Sequence, residues 1–138
     1  MRITQEADYA VRIIDRLAEN GRRLDARSLS ESTGVTLRFT LKILRKLTHA
    51  GIVKSFKGVT GGYELARLPS EINLRQVIEA VDGPIIINRC LSGEPCSNVD
   101  DRKLCFYHNV FSEVSKSIRD KLESITFSDK PDNEEVDT

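Results

Sequence analysis

The sequence has no apolar run of more than a few residues, Ile85-Ile86-Ile87 being typical, whereas a membrane-spanning helix needs roughly 18. Nor is Met1-Arg2-Ile3 followed by the apolar stretch of a signal peptide. Membrane insertion and export are therefore not expected, and the cytoplasm is the expected location. Cysteine is scarce: Cys90, Cys96 and Cys105 are the only three, and all fall within sixteen residues. An odd number of thiols in a chain without an export signal argues against a disulfide framework and points to metal ligation or redox chemistry. A catalytic apparatus is also missing. No nucleophile–base–acid set and no phosphate-cradling P-loop is present, and His49 reads as a C-terminal helix stabiliser rather than a base. An enzyme is not expected.

What is present is an ordinary globular composition, 39% apolar and 30% charged over 138 residues, about one domain's worth of chain. The formal net charge of zero is unevenly distributed. Residues 1–67 hold 13 Lys and Arg against 7 Asp and Glu, a net of +6; residues 68–126 carry −2 and residues 127–138 carry −4. A basic first half suits the neutralisation of phosphates, although a solvated mixed surface has the same composition.

Thr4 can cap a first helix in which Ala7, Ala10, Val11, Ile14, Leu17 and Ala18 recur at three- and four-residue steps, ending near Asn20-Gly21. A short second helix is predicted over Ala26 to Ser32. After the break at Ser32-Thr33-Gly34, a third runs from Thr36 to Ala50 with Gly51 as its stop. Two helices joined by a tight glycine-containing turn make a helix-turn-helix. Ile52–Phe56 and Tyr63–Ala66 are strand-like runs on either side of Lys57-Gly58-Val59-Thr60-Gly61-Gly62, a hairpin with a basic tip. A fourth helix carries Leu74, Val77, Ile78 and Val81 and stops at Asp82-Gly83-Pro84.

The fold class predicted is mainly α with a small β-hairpin wing, a winged helix-turn-helix followed by a long C-terminal helix. That last helix should begin near Asp101 and reach Ile125, with Tyr107, Phe111, Val114, Ile118, Leu122 and Ile125 in one stripe. A stripe this long needs a partner, either its own domain or the same helix of a second subunit. A helix-turn-helix that reads two half-sites is usually dimeric. The expected organisation is residues 1–83 as the winged helix-turn-helix region, 84–127 as the cysteine segment and dimerisation helix, and 128–138 as an acidic disordered tail.

Cys90 is followed by five residues, Cys96, eight residues, Cys105, two residues and His108. Relative to Tyr107, Cys105 sits at about 160° and His108 at about 100° around the helix, off the apolar stripe. Three thiolates and an imidazole suit a tetrahedral structural zinc site or an iron–sulfur cluster with unlike ligands. Structural zinc favours ligand pairs two to four residues apart, and only Cys105 and His108 have that spacing. The looser gaps favour the larger cluster. For reading DNA, Thr36, Arg38, Thr40 and Lys42 are expected as exposed polar residues at or near the start of the third helix. Arg2, Lys54, Lys57 and the amides of Gly58, Gly61 and Gly62 are candidates for the phosphate backbone.

These residues bring a family into view. The opening Met1-Arg2-Ile3-Thr4 with Asp8-Tyr9-Ala10-Val11-Arg12, Leu44-Arg45-Lys46-Leu47 before Gly51-Ile52-Val53, and Lys57-Gly58-Val59-Thr60-Gly61-Gly62-Tyr63-Glu64-Leu65 resemble the Rrf-type winged-helix transcription regulators, of the IscR- and NsrR-like kinds, from Met1 to about Phe127. The resemblance implies a homodimer on double-stranded promoter DNA, acting as a repressor. An iron–sulfur cluster on Cys90, Cys96 and Cys105 would sense nitric oxide, redox stress or iron–sulfur status. The fourth ligand matches His108 in the IscR-like pattern of a two-iron (2Fe-2S) cluster, or Asp8 from the other subunit in the NsrR-like pattern of a four-iron (4Fe-4S) cluster. Two other readings remain open. One is a winged-helix repressor with structural zinc or a thiol or metabolite switch; the other is a protein-interaction module that never touches DNA.

Overall fold

The computed structural model describes residues 2–87 and 106–131. The sequence-predicted elements are present. Helix α1 is Gln5–Asn20, α2 is Ala26–Thr33 and α3 is Leu37–His49. Strands β1 (Val53–Phe56) and β2 (Gly62–Leu65) follow, then a short 3-10 turn at Pro69–Glu71, α4 (Leu74–Asp82) and α5 (Phe106–Glu123). Among the described residues none of these helices is long and apolar enough to cross a membrane. The start expected near Asp101 for the last helix lies outside the described residues.

Capping fixes the helix starts. The hydroxyl of Thr4 accepts from the Ala7 amide, the carboxylate of Asp25 from Ser28, and the hydroxyl of Thr36 from Phe39. Asn73 and Gln76 form a reciprocal capping box at the head of α4. Each cap satisfies amides that the first turn leaves without an intrahelical partner. Between α2 and α3 the chain turns through Gly34 at φ +75°, a left-handed conformation that costs glycine little and any other L-residue more. This allows α3 to cross α2 after only three intervening residues.

The main core is an apolar cluster built from one stripe of each of the first four helices: Ile13, Ile14 and Leu17 of α1, Leu29 of α2, Ile43, Leu44 and Leu47 of α3, and Val77 of α4, closed below by Ile52, Val53 and Ile72. The antiparallel pair β1–β2 runs in the register Val53↔Leu65 to Phe56↔Gly62. It is widened by Leu24, which exchanges two backbone hydrogen bonds with Tyr63 (2.9 and 2.7 Å). The wing is thus tied to the loop between α1 and α2, and does not project on its own two strands alone.

The end of α5 returns to the domain. Leu74 N–H donates to Ile125 O (3.0 Å), and the Phe127 amide reaches Pro69 O and Ile72 O (3.2 and 3.1 Å). Lys130 bridges Asp15 and Glu19 of α1 (3.1 and 2.9 Å), and its hydrogen bond holds the Glu19 carboxyl below its ordinary pKa. Residues 132–138 of the expected acidic tail lie outside the described residues.

Candidate nucleic-acid interface and metal centre

Helix α3 has one buried face, formed by Thr40, Ile43, Leu44 and Leu47. At about 100° per residue these span a sector of about 100°, and Arg38, Lys42, Arg45 and His49 fall on the opposite side. Arg38, Lys42 and Arg45 are all exposed. Thr40 departs from the sequence expectation: it is 0% exposed and faces Val35 O at 3.5 Å. The reason is phase. Thr40 precedes Ile43, Leu44 and Leu47 by three, four and seven residues, so it shares their face, and a hydroxyl small enough to pack there is not presented to solvent. Arg45, four and seven residues from Leu41 and Arg38, stands on the outer face and was not among the expected contacts; the same helix arithmetic identifies it.

Thr36 is exposed, with its hydroxyl engaged as the α3 cap, so what it offers a phosphate is the head of the helix as much as a side chain. Lys42 is more than half exposed and lies 3.7 Å from Glu6, whose carboxylate meets Lys46 at 2.9 Å. The first turn of α1 is therefore held against the recognition helix by a half-buried carboxylate between two cations.

In the wing, Lys54 projects from β1 opposite Glu64, and Lys57 and Gly58 are exposed at the tip. Gly61 N–H donates to Gly58 O (3.0 Å), closing the turn. A Cβ on Gly61 would stand 2.5 Å from Phe56 O and 2.8 Å from Gly58 O, so this position has room only for glycine. Arg23, which nothing in its local pattern singles out, braces the wing: its guanidinium lies 3.5 Å from the centre of the Phe56 ring, donates to Thr60 O (3.0 Å) and approaches Glu64 (3.8 Å). Arg2 is exposed elsewhere, in the cleft where α1 meets the end of α4 beside Asp82, Gly83 and Pro84.

The chain leading to the cysteine segment is anchored on the domain. On the near side Ile85 packs against Ala7 and Ile78, with Ile118 and Leu122 of α5 at the edge of that cluster. The Ile87 amide donates to the hydroxyl of buried Ser115 (3.2 Å), and Arg119 donates to Ile85 O (3.0 Å). On the far side the chain enters α5 at Phe106. Cys90, Cys96 and Cys105 lie outside the described residues. His108 is half-buried in the first turn of α5. It precedes Ser115 by seven residues, which places the two about 20° apart around the helix and about 10 Å apart along it. His108 therefore lies on the side of α5 that receives Ile87, not off the packed face as the apolar stripe alone implied. Asp8 is exposed on α1 and pairs with Arg12 at 3.2 Å. Among the described residues no three His, Cys, Asp or Glu side chains gather into a metal-ligating group.

A family model for Rrf2, described as an iron-dependent transcriptional regulator, matches residues 3–130. The chain belongs to the Rrf2 family. An rrf2-like HTH-type transcriptional regulator of Rhodobacter capsulatus is 33% identical over 135 residues, covering 92% of this chain and 90% of that one. The regulator IscR of Pectobacterium carotovorum is 31% identical over 138 residues, 99% of this chain and 82% of the relative. Among solved structures, IscR of T. potens superposes with a TM-score of 0.69 at 26% identity, covering 94% of this chain and 85% of the other. CymR of B. subtilis, described as a global cysteine regulator, gives 0.75 at 22% identity over 94% and 95%, a likeness of fold. This Rrf2 protein is thus a transcriptional regulator on a winged helix-turn-helix, and its relatives are regulators and not enzymes.

Proposed function

We propose that this protein is a cytoplasmic, homodimeric repressor whose binding to promoter DNA is controlled by an iron–sulfur cluster. Cys90, Cys96 and Cys105 supply three ligands and His108 the fourth, with Asp8 of a second subunit as the other candidate for that place. The observation that carries the reading is the position of His108, half-buried on the face of α5 that anchors Ile87, where the chain leaves for the three cysteines. Three thiolates and one imidazole are a donor set that iron–sulfur clusters accept, and the family description is iron-dependent. When bound, such a cluster supplies iron that responds to nitric oxide, oxidants and iron status.

The chain's own residues give a physical route from that segment to DNA. Ile85 packs on Ala7, and the neighbouring Glu6 holds Lys46 and approaches Lys42 on α3. The hydroxyl of Thr4 donates to Asp82 at the end of α4, which fixes the first turn of α1 from the other side. A shift of the Ile85–Ile87 stem therefore acts on α1 and, through Glu6, on the recognition helix. In a dimer such a shift changes the separation of two recognition helices that must match half-sites about 34–36 Å apart. A second copy would cover the part of α5 that the described residues leave open, where Tyr107 is 67% exposed and Val114 is exposed beside Ile118 and Leu122.

The test is anaerobic purification followed by sedimentation, the visible spectrum, and iron, acid-labile sulfide and zinc content. A brown dimer with near-equal iron and sulfide is expected, with the colour abolished in Cys96→Ala and lost from one of His108→Ala and Asp8→Ala. A colourless protein with one zinc per chain, or a metal-free protein after attempted reconstitution, overturns the cluster and leaves a zinc- or thiol-controlled regulator.

A further inference from the structure

The first half of α3 exposes an unusual amount of apolar surface. Leu37 is 37% and Leu41 42% exposed, and among the described residues neither is a buried member of either core cluster. They stand four residues apart and so lie one above the other, about 40° apart around the helix. With Leu37 at zero, Arg45, Arg38 and Lys42 follow at about 80°, 100° and 140°, whereas the buried face lies at about 240° to 340°. The two leucines thus form a strip along one edge of the basic outer face. Phe39, on the other flank at about 200°, differs, because it meets the ring of Tyr9 edge-on at 6.4 Å and so has an intramolecular partner.

Single exposed leucines need no explanation. A pair in register beside three cations, on the first turns of the helix that a helix-turn-helix places in the major groove, has a specific complement. An apolar protein partner on this strip would strip water from Arg38, Lys42 and Arg45 without offering them counter-charges. Duplex DNA offers phosphates to the cations and, in the same groove, an apolar feature at the edge of one base alone, the 5-methyl group of thymine. We propose that Leu37 and Leu41 are specificity-determining residues that read thymine methyl groups in each half-site. The inference rests on the DNA-binding reading above and adds which base this helix selects.

The experiment uses the anaerobically purified full-length chain, both as isolated and after metal removal, to select binding sites from a random duplex library. Selected half-sites are expected to share thymine at one or two fixed positions, related by two-fold symmetry. Replacing those thymines with deoxyuridine removes the methyl and nothing else. Affinity should then fall about four-fold per methyl, the transfer preference of one buried methyl group. In Leu41→Ala, and to a lesser degree Leu37→Ala, the thymine and deoxyuridine duplexes should bind alike. Both side chains are exposed and alanine favours the helix, so these variants keep the fold. Equal binding of the two duplexes by the unaltered protein, or an undiminished deoxyuridine penalty in both leucine variants, overturns the proposal. Failure to retain any duplex even at low salt would overturn DNA binding itself, and the proposal with it.

Discussion

Substituting Gly61 by alanine tests the wing more sharply than removing any of its charges. The added Cβ would meet Phe56 O at 2.5 Å, Gly58 O at 2.8 Å and the Lys57 carbonyl carbon at 3.0 Å, all of them backbone atoms. Ordinary contacts begin near 3.4 Å, so the tip must open by roughly an ångström, and no flexible side chain can absorb the movement. The Gly61-to-Gly58 hydrogen bond is lost, a net effect of about 0.5–1.5 kcal/mol, and the adjoining Phe56↔Gly62 pair is disturbed. Damage should stop there, because Tyr63 remains paired with Leu24 on its other edge. Urea unfolding followed by far-ultraviolet circular dichroism should therefore show a loss of about 1–2 kcal/mol with an unchanged m-value. DNA affinity, measured by fluorescence anisotropy, should fall about ten-fold. The slope of log affinity against log salt should decrease by about one, as expected if Lys57 at the tip holds a phosphate. Unchanged stability and affinity would refute the close packing of the turn. A loss above about 4 kcal/mol would refute its independence from the core.

The buried position of Thr40 predicts that Thr40→Val leaves DNA affinity unaltered and stability within about 1 kcal/mol, because its hydroxyl has only the distant Val35 carbonyl, which Ser30 also serves. Arg38→Ala should instead reduce either the salt slope by about one or the discrimination at one base pair by about 1–3 kcal/mol, and binding isotherms at several salt concentrations and sequences distinguish the two. Asp25 caps α2, and hydrogen bonding from Ser28 keeps its carboxyl below the ordinary aspartate pKa. Since the folded value lies below the unfolded one, the contribution is present above the unfolded pKa and is lost as pH falls through the folded pKa. Asp25→Asn, which still caps, should flatten stability against pH in that acidic window relative to the unaltered protein, whereas Asp25→Ala should be less stable at neutral pH as well; calorimetry across the acid range measures both.

Local chemistry made most of the fold legible. Thr4, Thr36, Gly51 and Gly83 sit within a residue of the boundaries they announced, because a cap or a left-handed glycine acts on amides and carbonyls one turn away. Ile13 escaped the first-helix pattern although it is fully buried. It lies on the flank of the stripe, and the width of a buried face depends on how many neighbours a helix has. The brace of Arg23 on Phe56 and the return of Phe127 to Pro69 and Ile72 had no signature either. They join residues separated by more than thirty positions, and nothing in their immediate surroundings encodes the partner.

Helix α5 shows where periodicity stops being sufficient. Five of the six predicted apolar residues, Tyr107 to Leu122, lie on it in a stripe centred near Tyr107, yet the only fully buried side chain described on it is Ser115, about 80° from that residue. The packed face is rotated from the stripe because the helix meets the domain through Ile85, Ile87 and the α1–α4 junction, where Ser115 and Arg119 hydrogen-bond to backbone. Hydrophobicity identified a face that must be covered, and among the described residues its C-terminal part packs on the domain through Ile118 and Leu122. The rotation also moves His108 onto the packed side. The same displacement that leaves Tyr107 and Val114 exposed puts the candidate ligand on the side of α5 that receives Ile87, so dimerisation and ligation would use two adjacent faces of one helix, and a movement of either would be felt by the other.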